Sequence, residues 1–116
     1  MKRIILILFL LCSFRCYSEE LDRLNVVWET PSENSFGSMP LGNGDIGMNV
    51  WTEPNGDILF YISKVNAFDA GHELPKLGRI RMRFEPALNT SVSFRQELSL
   101  RDATIFIEGD GVELEL

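Results

Sequence analysis

Met48-Asn49-Val50-Trp51-Thr52-Glu53-Pro54-Asn55-Gly56-Asp57-Ile58-Leu59-Phe60-Tyr61-Ile62-Ser63 decides the fold class. Met48 and Val50 alternate with Asn49 and Trp51, the period of two expected of a strand with one buried face. Pro54-Asn55-Gly56-Asp57 breaks the run, and Ile58 to Ser63 resumes it. Asn-Gly between two apolar runs is the strongest short hairpin signal, because both central positions of a type I′ turn need φ > 0. The stretch therefore predicts two antiparallel strands joined at Asn55-Gly56.

Upstream lies Ser38-Met39-Pro40-Leu41-Gly42-Asn43-Gly44-Asp45-Ile46-Gly47, crowded with turn formers. Gly42-Asn43-Gly44-Asp45 reads as a tight, specifically shaped loop, since Gly, Asn and Asp tolerate left-handed backbone. Its N–H groups offer a small concave donor surface to a ligand or a neighbouring domain. Asn25 to Glu29 reads as a short strand stopped by Pro31, and Ser32 to Ser38 as loop.

Downstream, Lys64 to Gly78 is loop-like. Ile80, Met82 and Phe84 then alternate with Arg79, Arg81 and Arg83. Phe94, Leu98 and Leu100 follow, then a turn at Arg101-Asp102, then Ala103, Ile105 and Ile107. Gly109-Asp110-Gly111 is a second hairpin turn, and Val112, Leu114 and Leu116 alternate with Glu113 and Glu115. No stretch has a 3.6-residue apolar period, so the expectation is an all-β fold, an antiparallel β-sandwich. Leu116 falls in mid-alternation, which reads as a sandwich truncated at its C-terminus.

The first 18 residues read differently. Lys2 and Arg3 precede the apolar run Ile4 to Leu11, and Cys16-Tyr17-Ser18 has the small residues of a cleavage site. That order describes a secretory signal peptide over residues 1–18, leaving a domain over 19–116 that is secreted or periplasmic. Arg15 ends the apolar run well short of the roughly 20 residues of a membrane span. Lipid attachment at Cys16 is the competing reading, disfavoured by Arg15 where a lipobox has a small residue. Both cysteines, Cys12 and Cys16, leave with the leader, so the mature domain holds no disulfide. Cleavage also removes three basic residues and no acid, making the chain more acidic than its net charge of −6. Such a surface repels phosphate backbones, which argues against nucleic acid and leaves a neutral partner such as a carbohydrate unaffected.

Few residues offer chemistry. His72 is the only histidine, with Asp69 and Glu73 nearby, and reads as a loop residue rather than a metal ligand. The carboxylates are scattered, and no pair is placed by sequence to flank a glycosidic bond. Asp45 and Asp69 lie in loops, where functional residues concentrate, although a turn former and a carboxylate bonding its own backbone are the plainer roles. Trp51 ends the strand after the glycine-rich turn and would suit a sugar ring, although strand aromatics are more often core. The Arg79/Arg81/Arg83 row reads as a solvated face or a contact with a neighbouring element. Gly42-Asn43-Gly44 lacks the Gly-Lys-Ser/Thr ending of a phosphate loop. No cofactor is implied.

Trp28, Pro31, Met39-Pro40-Leu41-Gly42-Asn43-Gly44-Asp45-Ile46-Gly47 and the two following strands resemble the N-terminal domain of glycoside hydrolase family 95, which contains α-L-fucosidases and α-L-galactosidases. Lys64 stands where that family has Glu, and Phe68 where it has Trp. Both departures are closer to a related group of secreted bacterial proteins that carry a domain of unknown function here. That group is similar over Ser38–Trp51, Asn55–Lys64 and Lys76–Arg81. The resemblance implies a β-sandwich standing before an (α/α)6 barrel that supplies the catalytic acid and base. No residue of this chain matches those, so none is assigned to catalysis and none to a metal. Asn43, Asp45, Trp51, Lys64 and Asp69 are the candidate binding residues, with carbohydrate and the barrel as partners and no membrane contact after cleavage.

Overall fold

The computed structural model describes residues 20–73 and 78–116, and there the alternating stretches become strands. They are β1 (Val26–Trp28), β2 (Met39–Gly42), β3 (Ile46–Thr52), β4 (Ile58–Lys64), β5 (Gly78–Met82), β6 (Phe94–Ser99), β7 (Thr104–Gly109) and β8 (Val112–Glu115). One antiparallel sheet has the order β1-β6-β7-β8 and the other β2-β3-β4-β5. An antiparallel sandwich is what the alternation predicts and what forms. The leader 1–18, with Cys12 and Cys16, lies outside the described residues, as do 74–77.

One strand was not expected. Met39–Gly42 reads as part of a loop but pairs with β3, Met39 opposite Val50 and Leu41 opposite Met48. Pro40 is tolerated because β2 is an edge strand. Asn43 N–H donates to the Ile46 carbonyl, so by alternation Pro40 and Asn49 form a pair without ladder hydrogen bonds. The missing N–H of Pro40 therefore faces the open edge, where it costs nothing.

The hairpin at Asn55-Gly56 forms with a different turn from the type I′ expected. Gly56 N–H donates to the Glu53 carbonyl and Glu53 N–H to the Asp57 carbonyl, which makes the loop the three residues Pro54-Asn55-Gly56. Only Gly56 has positive φ, at 84°. Proline holds φ negative at the first turn position and so selects a type I turn followed by a left-handed glycine. The two-residue pattern with both φ positive appears instead at Asp110 (45°) and Gly111 (79°), between β7 and β8.

Met39, Val50 and Ile58 from one sheet meet Phe94, Leu98, Ile105 and Ile107 from the other, with Leu88 between β5 and β6 completing the core. A polar tie crosses this core. Gln96 on β6 is buried, accepts from the Thr52 hydroxyl at 3.0 Å and donates to the Val50 carbonyl at 3.3 Å. Neither side chain is left unsatisfied, and the tie fixes how one sheet sits on the other.

Two members of the arginine row, Arg81 and Arg83, form an ion-paired clamp. Asp57, almost fully buried, accepts from Arg81 Nη1 at 2.6 Å and from Arg83 Nε and Nη2 at 3.2 and 3.0 Å, and Arg81 also reaches Glu53 at 2.9 Å. Hydrogen bonds from Arg83 and then Arg81 lower the Asp57 pKa from 3.8 to about 2, with desolvation opposing. A carboxylate depressed on folding stabilises the native state fully above its unfolded pKa and loses that contribution as pH falls toward the folded value. Acid titration should thus weaken the fold between pH 3.8 and about 2. Urea midpoints measured across that window should fall less steeply for Asp57→Asn than for the parent. Equal slopes would assign the acid loss to other carboxylates, Glu97 among them, whose pKa Arg95 and Asn25 also lower.

Candidate functional site

The chain contains Asn-Gly-Asp-Ile twice, at residues 43–46 and 55–58, once at each end of β3. Local chemistry is shared. Asn43 Oδ1 accepts from the N–H groups of Asp45 and Ile46 at 3.0 and 2.9 Å, and Asn55 Oδ1 accepts from Asp57 N–H at 3.0 Å. These Asx contacts are why asparagine suits the first position. Gly44 and Gly56 both take left-handed φ, at 90° and 84°.

Surroundings separate the two turns. A Cβ on Gly56 would lie 2.1 Å from the Leu88 carbonyl oxygen, whereas one on Gly44 would meet nothing within 4 Å among the described residues. Asp57 is buried between arginines; Asp45 is exposed and pairs with Lys64 Nζ at 2.5 Å. One turn is locked into the fold, and the other is presented outward.

The register of β3 on β4 builds the outward site. Ile46 pairs with Lys64 and Gly47 with Ser63, and Val65 N–H donates to the Asp45 carbonyl at 2.8 Å. Gly42, Gly44 and Gly47 leave room beside this rung, so the turn and the end of β4 enclose an open depression of ≈ 270 Å³. Asp45, Ser63 and Lys64 supply its polar side chains, and Ile46 and Val65 are exposed at its rim. The surface of the depression is mainly apolar, with the Ser63 hydroxyl and the Asp45–Lys64 ion pair bordering it, which suits a small neutral group.

Of the five candidate residues, Asn43, Asp45 and Lys64 come together here. Asn43 shapes the turn, Asp45 and Lys64 border the depression, and the ion pair holds the two strands' ends in register. Trp51 is at the far end of β3, six residues from Asp45 and so about 20 Å along the strand. It is buried, with its ring 5.3 Å from that of Tyr61, and its indole N–H has no partner among the described residues. Asp69 does not line the depression; its carboxylate accepts from the N–H groups of Gly71 and Glu73 at 2.8 and 2.9 Å and holds its own loop. Ser63 is a site residue that sequence reasoning missed. The signal was present, since a hairpin turn at 54–56 fixes Ser63 opposite Gly47.

A family model described as a domain of unknown function, DUF5703, matches residues 27–116. The chain belongs to that family. The DUF5703 match begins within β1 and includes every later strand, so both Asn-Gly-Asp-Ile turns and the depression lie inside it. No curated protein and no solved structure matches the chain.

The ion pair at the DUF5703 turn is a surface pair, with side chains 37% and 57% exposed, and such pairs contribute about 0–1 kcal/mol. Asp45→Ala should therefore shift a urea midpoint barely, whereas Asn43→Ala, which strands two N–H donors, should cost about 1 kcal/mol. A larger loss for Asp45→Ala than for Asn43→Ala would show that the ion pair, not the Asx contacts, holds the turn.

Proposed function

We propose that this chain is the non-catalytic N-terminal β-sandwich of a secreted glycoside hydrolase-like protein that breaks down carbohydrate. It packs on an (α/α)6 catalytic barrel and directs the Asn43–Ile46 turn toward the sugar-binding cleft. One observation carries the reading: the same tetrapeptide is sealed inside the fold at 55–58, yet braced and exposed beside a depression at 43–46. A stiff turn on a rigid strand is suited to shaping a neighbouring site. Exposed Ile46 and Val65 give the apolar contact that packing on a second domain needs. The leader fits the same reading, and mass spectrometry of the exported chain should give Glu19 as its first residue.

The test uses the chain joined to its barrel. Asn43→Ala and Asp45→Ala should lower hydrolysis of aryl glycosides about 10- to 100-fold per folded molecule, by misplacing the cleft wall. Unchanged turnover per folded molecule would leave the turn a purely structural one. The alternative is a free-standing carbohydrate-binding or structural module. Burial of Trp51 weighs against the first, because a sugar platform needs an exposed ring. Oligosaccharide binding by the chain without a barrel, seen by calorimetry, would favour it.

A further inference from the structure

The two Asn-Gly bonds, at 43–44 and 55–56, are both followed by Asp-Ile, and they differ in how the fold holds the glycine nitrogen. Asparagine before glycine carries an electrophile and a nucleophile side by side. The side-chain amide carbon lies within reach of the next peptide nitrogen, and glycine puts no Cβ in the way. Asparagine is for such reasons a chemically labile residue.

At 55–56 the fold blocks this reaction. Gly56 N–H donates to the Glu53 carbonyl at 2.9 Å, so its proton is engaged. Gly56 is buried, with the Leu88 backbone so close that a Cβ would lie 2.1 Å from its carbonyl oxygen. The peptide cannot turn to attack unless the β3–β4 hairpin opens.

The 43–44 bond is held differently. Gly44 is exposed, and its N–H makes no hydrogen bond among the described residues. Asn43 is exposed as well, and its Oδ1 accepts from the N–H groups of Asp45 and Ile46 at 3.0 and 2.9 Å. These donors polarise the amide and already stand where negative charge grows when the amide carbon is attacked. Asn55 Oδ1 has a single such donor among the described residues, Asp57 N–H at 3.0 Å.

We propose that Asn43-Gly44 is a self-modifying site, which closes to a succinimide and opens to aspartate or isoaspartate. The Gly44 nitrogen gives its proton to hydroxide and bonds to Asn43 Cγ. The Cγ–Nδ2 bond then breaks, and Nδ2 leaves as ammonia with a proton from water. Solvent water next adds to one of the two ring carbonyls. Opening at Cγ gives aspartate, and opening at the former peptide carbonyl gives isoaspartate, whose chain runs through Cγ. Either product adds a carboxylate to the turn that carries the Asp45–Lys64 pair. Isoaspartate also lengthens the backbone by a methylene and turns Oδ1 into a main-chain oxygen, so the turn is rebuilt. The carbohydrate reading is not needed for this, because the turn itself supplies every reacting group except water.

The test incubates the full chain at mildly alkaline pH, folded and in urea, and follows both asparagines by peptide mapping with mass spectrometry. In urea the shared Asn-Gly-Asp-Ile sequence should make the two convert at similar rates. In the folded chain Asn43 should go on converting, faster as pH rises, and should outpace Asn55 about tenfold or more, since Asn55 reacts only when its hairpin opens. Asn43→Gln, which would have to close a larger ring, should remove conversion at 43 and leave that at 55 unchanged. Equal conversion at the two positions in the folded chain would overturn the proposal, as would conversion at 55 ahead of 43. Protection of both asparagines by folding would overturn it too, by showing that the outward turn is held as firmly as the sealed one.

Discussion

Replacing Gly56 with alanine is expected to destabilise the fold by about 2–6 kcal/mol, and the same change at Gly44 by about 1–3. Both glycines sit in left-handed backbone, so both variants carry the strain of forcing an L-residue into it. Only Gly56 adds an overlap. Its new Cβ would lie 2.1 Å from the Leu88 carbonyl oxygen and about 3 Å from the Leu88 carbonyl carbon and nitrogen. Backbone cannot swing aside as a side chain can. Moving it would also disturb Thr90, whose hydroxyl donates to the Pro54 carbonyl at 2.8 Å, and Asn89, whose amide donates to Asp110 at 3.2 Å. A domain of this size has about 5–15 kcal/mol of stability, so the loss at Gly56 is a large share of it. Urea denaturation of the two variants side by side gives the comparison. Equal losses would mean that the connection between β5 and β6 yields freely, and that Leu88 does not hold the hairpin.

The strands were legible where alternation was clean, because burial of one face imposes the period directly on residues such as Ile105, Ile107 and Leu114. β2 was not legible. Pro40 and Gly42 are poor strand formers, and their place on an edge is a property of the sheet rather than of the segment. Asn55-Gly56 alone reads as a two-residue hairpin turn, but Pro54, which holds φ negative, selects a three-residue loop instead. Within the site, Asn43 and Asp45 were readable locally, and the meeting of Asp45 with Lys64 follows once the β3–β4 register is known. The burial of Trp51 was the plainer of its two readings, since strand aromatics are more often core. Alternation puts Trp51 opposite Val50, but nothing within one strand says that both faces of the sheet are covered at that point. Gln96 shows the reverse case. A polar residue at an apolar position, between Phe94 and Leu98, was a visible signal for the tie to Thr52.

Leu88→Ala should cost about 2–5 kcal/mol, as expected of a buried leucine in a core that cannot fully collapse. Its value as an experiment lies in what it does to two glycine substitutions. A Cβ added at Gly109 would lie 2.9 Å from Leu88 Cδ1 and 3.0 Å from Cγ, both side-chain atoms, with the Asn89 carbonyl oxygen at 3.2 Å. Gly109 has no positive φ, so alanine there suffers crowding and no left-handed strain. Gly109→Ala alone should therefore cost about 1–3 kcal/mol. In a Leu88→Ala background the two crowding side-chain atoms are gone and the new methyl enters the space they left, with only the Asn89 carbonyl oxygen still close. The two changes should then be strongly non-additive, the double variant being about 1–2 kcal/mol more stable than the sum of the single losses predicts. Gly56→Ala offers the control. It collides with the backbone of residue 88, which the truncation does not remove, so its cost should add to that of Leu88→Ala with little coupling. Non-additivity at Gly109 and additivity at Gly56 would show that Leu88 holds the β7–β8 hairpin by its side chain and the β3–β4 hairpin by its backbone. Additivity at Gly109 as well would show that the Leu88 side chain does not hold the β7–β8 hairpin through contact.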